Sequence, residues 1–398
     1  MNVLEKINAN ILASIKSSKA KKFTYIIGNN GTGKSRLLRK VVENLTHSEQ
    51  NPTNKILCIS NAVYDRFDFY ETGGETYLGL RNVSNAIFYT NIDRQLIHLI
   101  ATGIQKRDDF VETLKKHLNL EFSILIDPTT DTYKTDISSL VDKRKIRGKT
   151  IEDAMSKSAI RYISNITKKT TTLSELNKRQ AAAIESFLRL NPARIKLIVR
   201  KQNEEIGFGE LSSGEQNRVL LAVKIMANVE EKALIVIDEP EISLHLHWQM
   251  DFHKFLKDLL SGQRYFHAII ATHSPIIISE AAKDNKTDSI IILESENPRD
   301  TLTNIKYREG TKKDINGFDS VVLDFFNTAT YNSKAVDEEI ARSIVSAASM
   351  PEHGHKLDHE LEALNELLSK KGIPEDTKAK IQEAVNLIKK HFKNEEIS

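Results

Sequence analysis

Residues 28–35 have the types and the spacing needed to bind the phosphates of a nucleotide. They read Gly-Asn-Asn-Gly-Thr-Gly-Lys-Ser and fit the pattern G-x-x-x-x-G-K-[ST] at every fixed position. Glycines let backbone N–H groups curl around phosphate oxygens, and a following helix adds the positive end of its dipole. We expect Lys34 to reach the β- and γ-phosphates and the Ser35 hydroxyl to bind Mg²⁺. A glycine-rich turn that matches by chance is the alternative.

The sequence on either side of this phosphate loop, residues 28–35, favours the functional interpretation. Residues 23–27 form a β-branched and aromatic run that predicts a strand, and apolar residues recur at helical spacing between 35 and 45. Residues 55–60 predict a further strand, which contains the single cysteine, Cys58, as a core residue. A loop that joins a strand to a helix is the setting in which this pattern binds phosphate.

Three further segments carry residues suited to nucleotide chemistry. Residues 211–216, Leu-Ser-Ser-Gly-Glu-Gln, precede a helical pattern and predict an N-capped helix. One apolar run leads into Asp238 and Glu239, and another leads into His273. Taken singly, these segments also fit an ordinary capped helix, an acidic turn and a core histidine.

The four segments in this order resemble ABC-type ATPases over about residues 20–300. The resemblance implies an α/β fold, a P-loop ATPase head with a mixed β-sheet core, a helical lid insertion and C-terminal helices. It also implies Mg²⁺-dependent hydrolysis of ATP. Asp238 and Ser35 would hold Mg²⁺, Glu239 would polarise the attacking water, and His273 would contact the γ-phosphate. In this family two heads sandwich two nucleotides, so the resemblance implies a homodimer.

The glutamine that senses Mg²⁺ and the γ-phosphate in such enzymes has two candidates. Gln95 stands at the start of a predicted helix, and Asn61 follows the strand at 55–60. We choose Gln95. The nucleotide-binding set is then Gly28, Asn29, Asn30, Gly31, Thr32, Gly33, Lys34, Ser35, Gln95 and, from the second subunit, Ser212, Ser213, Gly214 and Glu215.

The segment after the paired carboxylates indicates a branch of this family. Residues 238–245, Asp-Glu-Pro-Glu-Ile-Ser-Leu-His, with Trp248 and Gln249, resemble the cytoplasmic OLD-like and SMC-like ATPases, although Leu246 replaces the usual proline. Transporter heads usually carry a different segment here. No later Asp-x-Asp pair with its own sheet follows His273, so we expect no intrinsic nuclease.

Two short patches, residues 23–38 and 59–67, are similar to the ATPases of Septu and retron anti-phage systems. This narrower resemblance implies a sensor or regulatory scaffold for a separately encoded nuclease of HNH type. A reverse transcriptase with its small nucleic acid is a further candidate partner. The main alternative is a DNA-repair or recombination ATPase that acts directly on DNA. An ATP-closed switch without turnover and a transporter head are the remaining rivals.

Charge and hydropathy place further bounds on the chain. Its 398 residues carry a net charge of only +3, yet residues 143–201 hold sixteen lysines and arginines against four acids. This basic segment predicts a surface for nucleic-acid phosphates, or a solvated face that balances acidic surface elsewhere. No apolar run is long enough to cross a bilayer, and we expect a cytoplasmic protein without a membrane partner. We expect an ATPase domain over 1–334, with a basic helical insertion at about 91–201, and a C-terminal helical extension over 335–398.

Overall fold

The computed structural model describes sixteen stretches of the chain: residues 2–16, 21–48, 51–60, 75–79, 81–83, 86–87, 92–127, 154–190, 195–242, 244–284, 289–294, 305–310, 318–326, 328, 333–348 and 354–392. The strands are β1 (Lys21–Ile27), β2 (Lys55–Ser60), β3 (Glu75–Tyr77), β4 (Arg81–Val83), β5 (Ala86–Ile87), β6 (Glu121–Ile126), β7 (Thr170–Thr172), β8 (Ile195–Lys201), β9 (Glu204–Gly207), β10 (Ala233–Asp238), β11 (Phe266–Thr272), β12 (Ser289–Leu293) and β13 (Tyr307–Gly310). The helices are α1 (Val3–Lys16), α2 (Lys34–Thr46), α3 (Ile92–Lys106), α4 (Phe110–Leu118), α5 (Lys157–Ile166), α6 (Lys178–Arg189), α7 (Ser213–Asn228), α8 (Leu246–Leu259), α9 (Pro275–Asp284), α10 (Phe318–Phe325), α11 (Lys334–Ala348), α12 (Gly354–Ser369) and α13 (Glu375–Phe392).

The chain divides into two compact units. The first contains Val3–Phe23 and Ser35–Ala271, and the second contains Thr24–Lys34 and Thr272–Ser398. Strand β1 therefore begins in the first unit and ends in the second. None of the helices that the structure describes is long and apolar enough to cross a bilayer.

A parallel sheet forms the core of the first unit. Strand β10 lies between β2 and β11, runs parallel to both, and is buried along its whole length. Its sequence, Ala-Leu-Ile-Val-Ile-Asp, is the continuous apolar run expected of a strand that is covered on both faces. The register places Asp238 opposite Ser60 and Ala271, so the polar residue lies at the carboxyl edge of the sheet.

An antiparallel sheet in the first unit accompanies the helices of the segment at about 91–201, for which the sequence predicted a helical insertion. This sheet has the strand order β7-β6-β8-β9. In β8 the side chains of Ile195, Leu197 and Val199 are buried, whereas Lys196 and Arg200 are exposed. This period of two is that of a strand with one solvated face, and the basic residues occupy that face. The many basic residues of the segment made the alternation of buried and exposed side chains in β8 hard to recognise from the sequence. The insertion combines this sheet with α3 and α6, which pack against each other.

A buried polar pair joins α1 to β11 within the first unit. The Ser14 Oγ lies 2.7 Å from the His267 Nδ1, and both residues are almost fully enclosed. Burial lowers the pKa of His267 to about 3, so the imidazole is neutral near pH 7. Because neither side chain reaches solvent, the pair has a structural role rather than a catalytic one.

The second unit contains parallel and antiparallel strand pairs and the C-terminal helices. The second half of β1 pairs in parallel with β12, and β12 pairs antiparallel with β13. Together with the parallel strands of the first unit, these pairs confirm an α/β fold with mixed strand directions. The predicted C-terminal helices are present, with Gly372 (φ 79°) in the left-handed turn between α12 and α13. Their core consists of Leu323, Val336, Ala347, Leu361, Leu364, Leu367, Ile373, Ile381, Ala384, Val385 and Ile388. The domain boundary at 335 stays a prediction.

Candidate functional site

The phosphate loop joins β1 to α2, as predicted. Two of its glycines, Gly31 (φ 87°) and Gly33 (φ 94°), have the left-handed backbone that strains other residues. Asn29, Asn30 and Gly31 are exposed, so the tip of the loop is open to solvent. The loop thus has the backbone shape and the accessibility that a phosphate-binding turn needs.

Lys34 is bound to the backbone of the loop. Its Nζ donates hydrogen bonds to the carbonyl oxygens of Gly28 (2.7 Å) and Asn29 (3.3 Å), and the residue is only 4% exposed. The Thr32 hydroxyl and N–H also donate to the Asn29 oxygen, at 2.9 and 3.2 Å. These bonds within the second unit join the start of the loop to its end and fix its shape.

Gly28 is required by a close approach of the backbone. A Cβ at this position would lie 2.7 Å from the Thr32 Oγ1 and 3.1 Å from the Leu293 carbonyl oxygen. The first distance is shorter than real Cβ contacts, and the second is tighter than nine in ten of them. The first glycine of the pattern therefore lets the start of the loop pass against the end of β12.

His273 follows β11 directly and is partly buried in the second unit. The residues on both sides of it are fixed by local hydrogen bonds. The Ser274 N–H donates to the Thr272 Oγ1 (2.9 Å), and the Ser274 Oγ accepts from the N–H of Ile277 (3.3 Å) in α9. The backbone that carries the imidazole is thereby fixed, and the contact of His273 with a γ-phosphate stays a prediction.

The paired carboxylates belong to the first unit. Asp238 ends β10 and is 2% exposed, whereas Glu239 is partly exposed. The Glu239 N–H donates to the Ala271 carbonyl oxygen at 2.9 Å. Glu239 has φ 48°, a left-handed conformation that is uncommon for a residue other than glycine. Because such strain persists where a function requires it, this conformation supports a functional role for Glu239.

Residues 211–216, which we call the signature turn, begin α7 as predicted. Ser212 is the N-cap, and its Oγ accepts from the Glu215 N–H at 3.4 Å. The Glu215 carboxylate in turn accepts from the Ser212 N–H at 3.1 Å, which completes a capping box. Ser212 and Ser213 are exposed. An exposed helix N-terminus with a hydroxyl beside it can receive an anion.

The signature turn and the segment after the carboxylates contact each other within the first unit. Asn217 Nδ2 donates to the Ile242 carbonyl oxygen at 3.2 Å. A Cβ at Gly214 would lie 3.2 Å from the Trp248 Cδ1, so the indole lies directly against this glycine. The Arg218 guanidinium lies 4.0 Å from the centre of the same ring. The first unit therefore holds α7 and α8 together around Trp248.

Two remaining candidates lie in first turns of helices. Ser35 lies in α2, next to Lys34, where its hydroxyl could bind a metal ion. Gln95 lies in α3, which packs against α6, α7 and β8. Its function as the sensing glutamine stays a prediction, and the alternative, Asn61, lies outside the described residues.

Sequence reasoning missed Lys201 and Arg218, and it gave Trp248 no function. Lys201 contacts the signature turn, and Arg218 donates to the His117 carbonyl oxygen at 3.1 Å. Arg218 lies four residues, or one helical turn, after Gly214. This spacing is the sequence signal that could have placed Arg218 on the same helix face as the signature turn.

Each unit, taken by itself, holds groups of the kind that bind ATP or Mg²⁺. The second unit supplies a glycine cradle that a Cβ at Gly28 would fill, with a lysine at its base. The first unit supplies a hydroxyl and two carboxylates, and oxygen ligands of this kind are what Mg²⁺ prefers.

Comparison with known families matches residues 103–278 to the AAA ATPase domain. The matched residues include the signature turn, the paired carboxylates and His273, and the phosphate loop precedes them. Among known proteins, Protein ea59 of Escherichia phage lambda is 38% identical over 73 residues. That alignment covers 18% of this chain and only 14% of the phage protein. The match to the AAA ATPase domain supports an ATPase of the P-loop class, which binds and hydrolyses ATP.

Proposed function

We propose that this chain is a Mg²⁺-dependent ABC-type ATPase that works as a cytoplasmic homodimer. The observation that carries this proposal is the closed phosphate loop, in which Lys34 binds the carbonyl oxygen of Gly28 at 2.7 Å. A loop already formed in this way can receive phosphates with little reorganisation. The left-handed Glu239 beside a buried Asp238 supports hydrolysis as well as binding.

Each candidate residue has one function in this proposal. The backbone of the phosphate loop and Lys34 bind the phosphates, and Ser35 and Asp238 hold Mg²⁺. Glu239 orients the attacking water, and His273 contacts the γ-phosphate. Gln95 senses the γ-phosphate and the metal.

The exposure of the signature turn supports the dimer. Ser212 and Ser213 face solvent in one chain, which suits residues that bind the nucleotide of another. On the neighbouring helix α8, Leu246 and Met250 are 62% and 47% exposed, so a single chain leaves apolar side chains uncovered. In the dimer each signature turn would bind the γ-phosphate of the ATP held by the partner, and closure would follow ATP binding.

The narrower part of the proposal is a defence role. We propose that the dimer senses infection and scaffolds or restrains a separately encoded nuclease of HNH type, alone or with a reverse transcriptase and its small nucleic acid. The support is the similarity of residues 23–38 to the ATPases of Septu and retron systems. A repair ATPase that acts directly on DNA is the alternative.

The test is purification of the Glu239→Gln chain from its native host in the presence of ATP, followed by mass spectrometry and sizing. We expect a closed dimer that carries a nuclease, because blocked hydrolysis should preserve the ATP-bound state. The wild-type chain in ADP is the control and should be smaller. A dimer that binds DNA and carries no nuclease would favour the repair function. A monomer under both conditions would contradict a homodimer that sandwiches two nucleotides.

We propose that nucleic acid binds to the basic segment at α5 and the turn after it. Lys157, Arg161, Lys168 and Lys169 are all exposed, and no acid occurs between residues 154 and 174. Lys157 and Arg161 share one helix face because they are four residues apart. Within the described part of the chain, none of these four cations pairs with an acid. Ser158 and Thr170 add exposed hydroxyls that can donate to phosphate oxygens.

Several of the later cations of the basic segment are paired with acids. Lys178 lies 3.1 Å from Asp108, and Arg189 lies 2.6 Å from Glu185. Arg200 lies 2.6 Å from Glu205 in the neighbouring strand. These pairs reduce the positive potential that a polyanion would meet. They therefore favour the surface of α5 over that of α6 and β8.

Charge reversal separates the two surfaces. We expect Lys157→Glu with Arg161→Glu to weaken binding to a short DNA duplex. The slope of log K against log salt, which is negative, should decrease in magnitude by about 1.8, since two phosphate contacts are lost. Fluorescence anisotropy at several salt concentrations measures both effects. The matched control, Lys178→Glu with Arg189→Glu, should change the slope much less. Equal losses for the two double variants would rule out a specific contact by α5.

A further inference from the structure

An ion pair joins the antiparallel sheet to the signature turn. The Lys201 Nζ, at the end of β8, lies 2.6 Å from the Glu215 Oε1. The other oxygen of this carboxylate accepts from the Ser212 hydroxyl at 2.8 Å and from the Ser212 N–H at 3.1 Å. One carboxylate therefore connects a lysine of the sheet to the serine that caps α7.

Lys201 is held in place by a tight hairpin. Strands β8 and β9 pair antiparallel, with Lys201 opposite Glu204. The two residues between them, Gln202 (φ 51°) and Asn203 (φ 71°), are both left-handed, as in the two-residue turns that match the twist of paired strands. A single turn of 3₁₀ helix, Phe208–Glu210, then leads from β9 into the signature turn. The sheet and the turn are thus joined by the backbone and by the ion pair.

The ion pair between Lys201 and Glu215 affects the signature turn because the Glu215 carboxylate is negatively charged. The hydrogen bond from Lys201 is the main cause that lowers the pKa of the Glu215 carboxyl, and the bonds from Ser212 add to it. An ionised carboxylate only accepts hydrogen bonds, so it directs the Ser212 hydroxyl. Without a cation beside it, the same carboxylate would place a negative charge at a helix N-terminus that is to receive a phosphate.

We propose that Lys201 is a positioning residue for the signature turn, which holds the Glu215 carboxylate in place for Ser212 and compensates its charge. The inference rests on the proposed function, because it assigns the turn to the γ-phosphate. Its consequence is a coupling between the antiparallel sheet and ATP-driven closure. Anything that moves the β8–β9 hairpin also moves the groups that meet the phosphate.

The single tryptophan of the chain offers a measurement that does not depend on turnover. Trp248 lies against Gly214 of the signature turn and under the guanidinium of Arg218. A displacement of the turn changes the surroundings of this indole, and therefore its emission.

The experiment compares three variants of the full chain: Lys201→Met, Lys201→Arg and the double variant Lys201→Met with Glu215→Gln. We expect Lys201→Met to lower kcat about tenfold with little change in the KM for ATP, and to shift the emission of Trp248. The arginine keeps the positive charge, so Lys201→Arg should restore most of the activity and the wild-type emission. In the double variant the glutamine keeps an acceptor for Ser212 without a negative charge, so the wild-type emission should return. Lys178→Met, which removes the ion pair with Asp108 on the same unit, is the control and should change neither quantity.

Two results would overturn the inference. One is an unchanged kcat and an unchanged emission in Lys201→Met. The other is a loss of activity that Lys201→Arg does not restore and that is accompanied by a lower Tm, as for an ion pair that only stabilises the fold. Should the wild-type chain hydrolyse no ATP, the proposed function fails, and the emission of Trp248 in the same variants still decides whether Lys201 positions the turn.

Discussion

Replacing Glu239 with glutamine is expected to leave ATP binding intact and to reduce the rate of ATP hydrolysis by about 10²- to 10⁴-fold, the usual contribution of a general base. Glutamine has the same size as glutamate and can occupy the same left-handed turn, in which the N–H of residue 239 binds the Ala271 oxygen at 2.9 Å. What it lacks is a carboxylate that can accept the proton of the attacking water. Steady-state hydrolysis and equilibrium ATP binding, measured on the same preparation, separate the two effects.

The matched control is Glu112→Gln, which makes the same chemical change on the exposed face of α4 and should hydrolyse ATP at the wild-type rate. If the Glu239→Gln chain hydrolyses ATP at the wild-type rate, Glu239 is not the general base. A loss of both binding and turnover, with a lower Tm, would instead mean that the strained turn supports the fold.

The features that sequence could predict are those that depend on neighbouring residues. The phosphate loop is one of these, because its glycines, Lys34 and Ser35 lie within eight positions of one another. The cap at Ser212 is another, since the capping box joins residues three apart. The buried strand that ends at Asp238 is a third, because its six apolar and acidic residues form one continuous run. In each case the local pattern and the final environment agree.

The features that sequence could not predict depend on distant partners or on backbone geometry. Lys201 and Glu215 are fourteen positions apart, and only the folding of β8 beside the start of α7 brings them within 2.6 Å. The left-handed φ of Glu239 has no sequence signal, because glutamate seldom adopts it. Strand β8 was misassigned for a different reason. Its exposed Lys196 and Arg200 belong to a basic run, and that bias concealed the apolar residues alternating with them.

Removal of the Lys34 ammonium should have the largest effect on nucleotide affinity. We expect Lys34→Ala to weaken ATP binding by about a hundredfold and to abolish measurable hydrolysis, because a hydrogen bond to a charged group contributes about 1.5–3 kcal/mol and Lys34 would contact both the β- and γ-phosphates. The control, Lys40→Ala, removes an exposed lysine of the same helix, which pairs with Glu43. Titration calorimetry measures the affinity of both variants for ATP. An unchanged affinity in Lys34→Ala would contradict the assignment of residues 28–35 as the phosphate-binding loop.

Lys34 also donates to the carbonyl oxygens of Gly28 and Asn29, so its loss could act through the shape of the loop instead of through the phosphates. Comparison of ATP, ADP and AMP distinguishes these causes. A lysine that acts on the β- and γ-phosphates contributes nothing to the binding of AMP, which has neither. If the contact with phosphate dominates, the affinity for ATP and ADP falls and that for AMP is unchanged. If the loop opens when the two backbone bonds are lost, the affinity for all three nucleotides falls, because the N–H groups that cradle the phosphates are then displaced together.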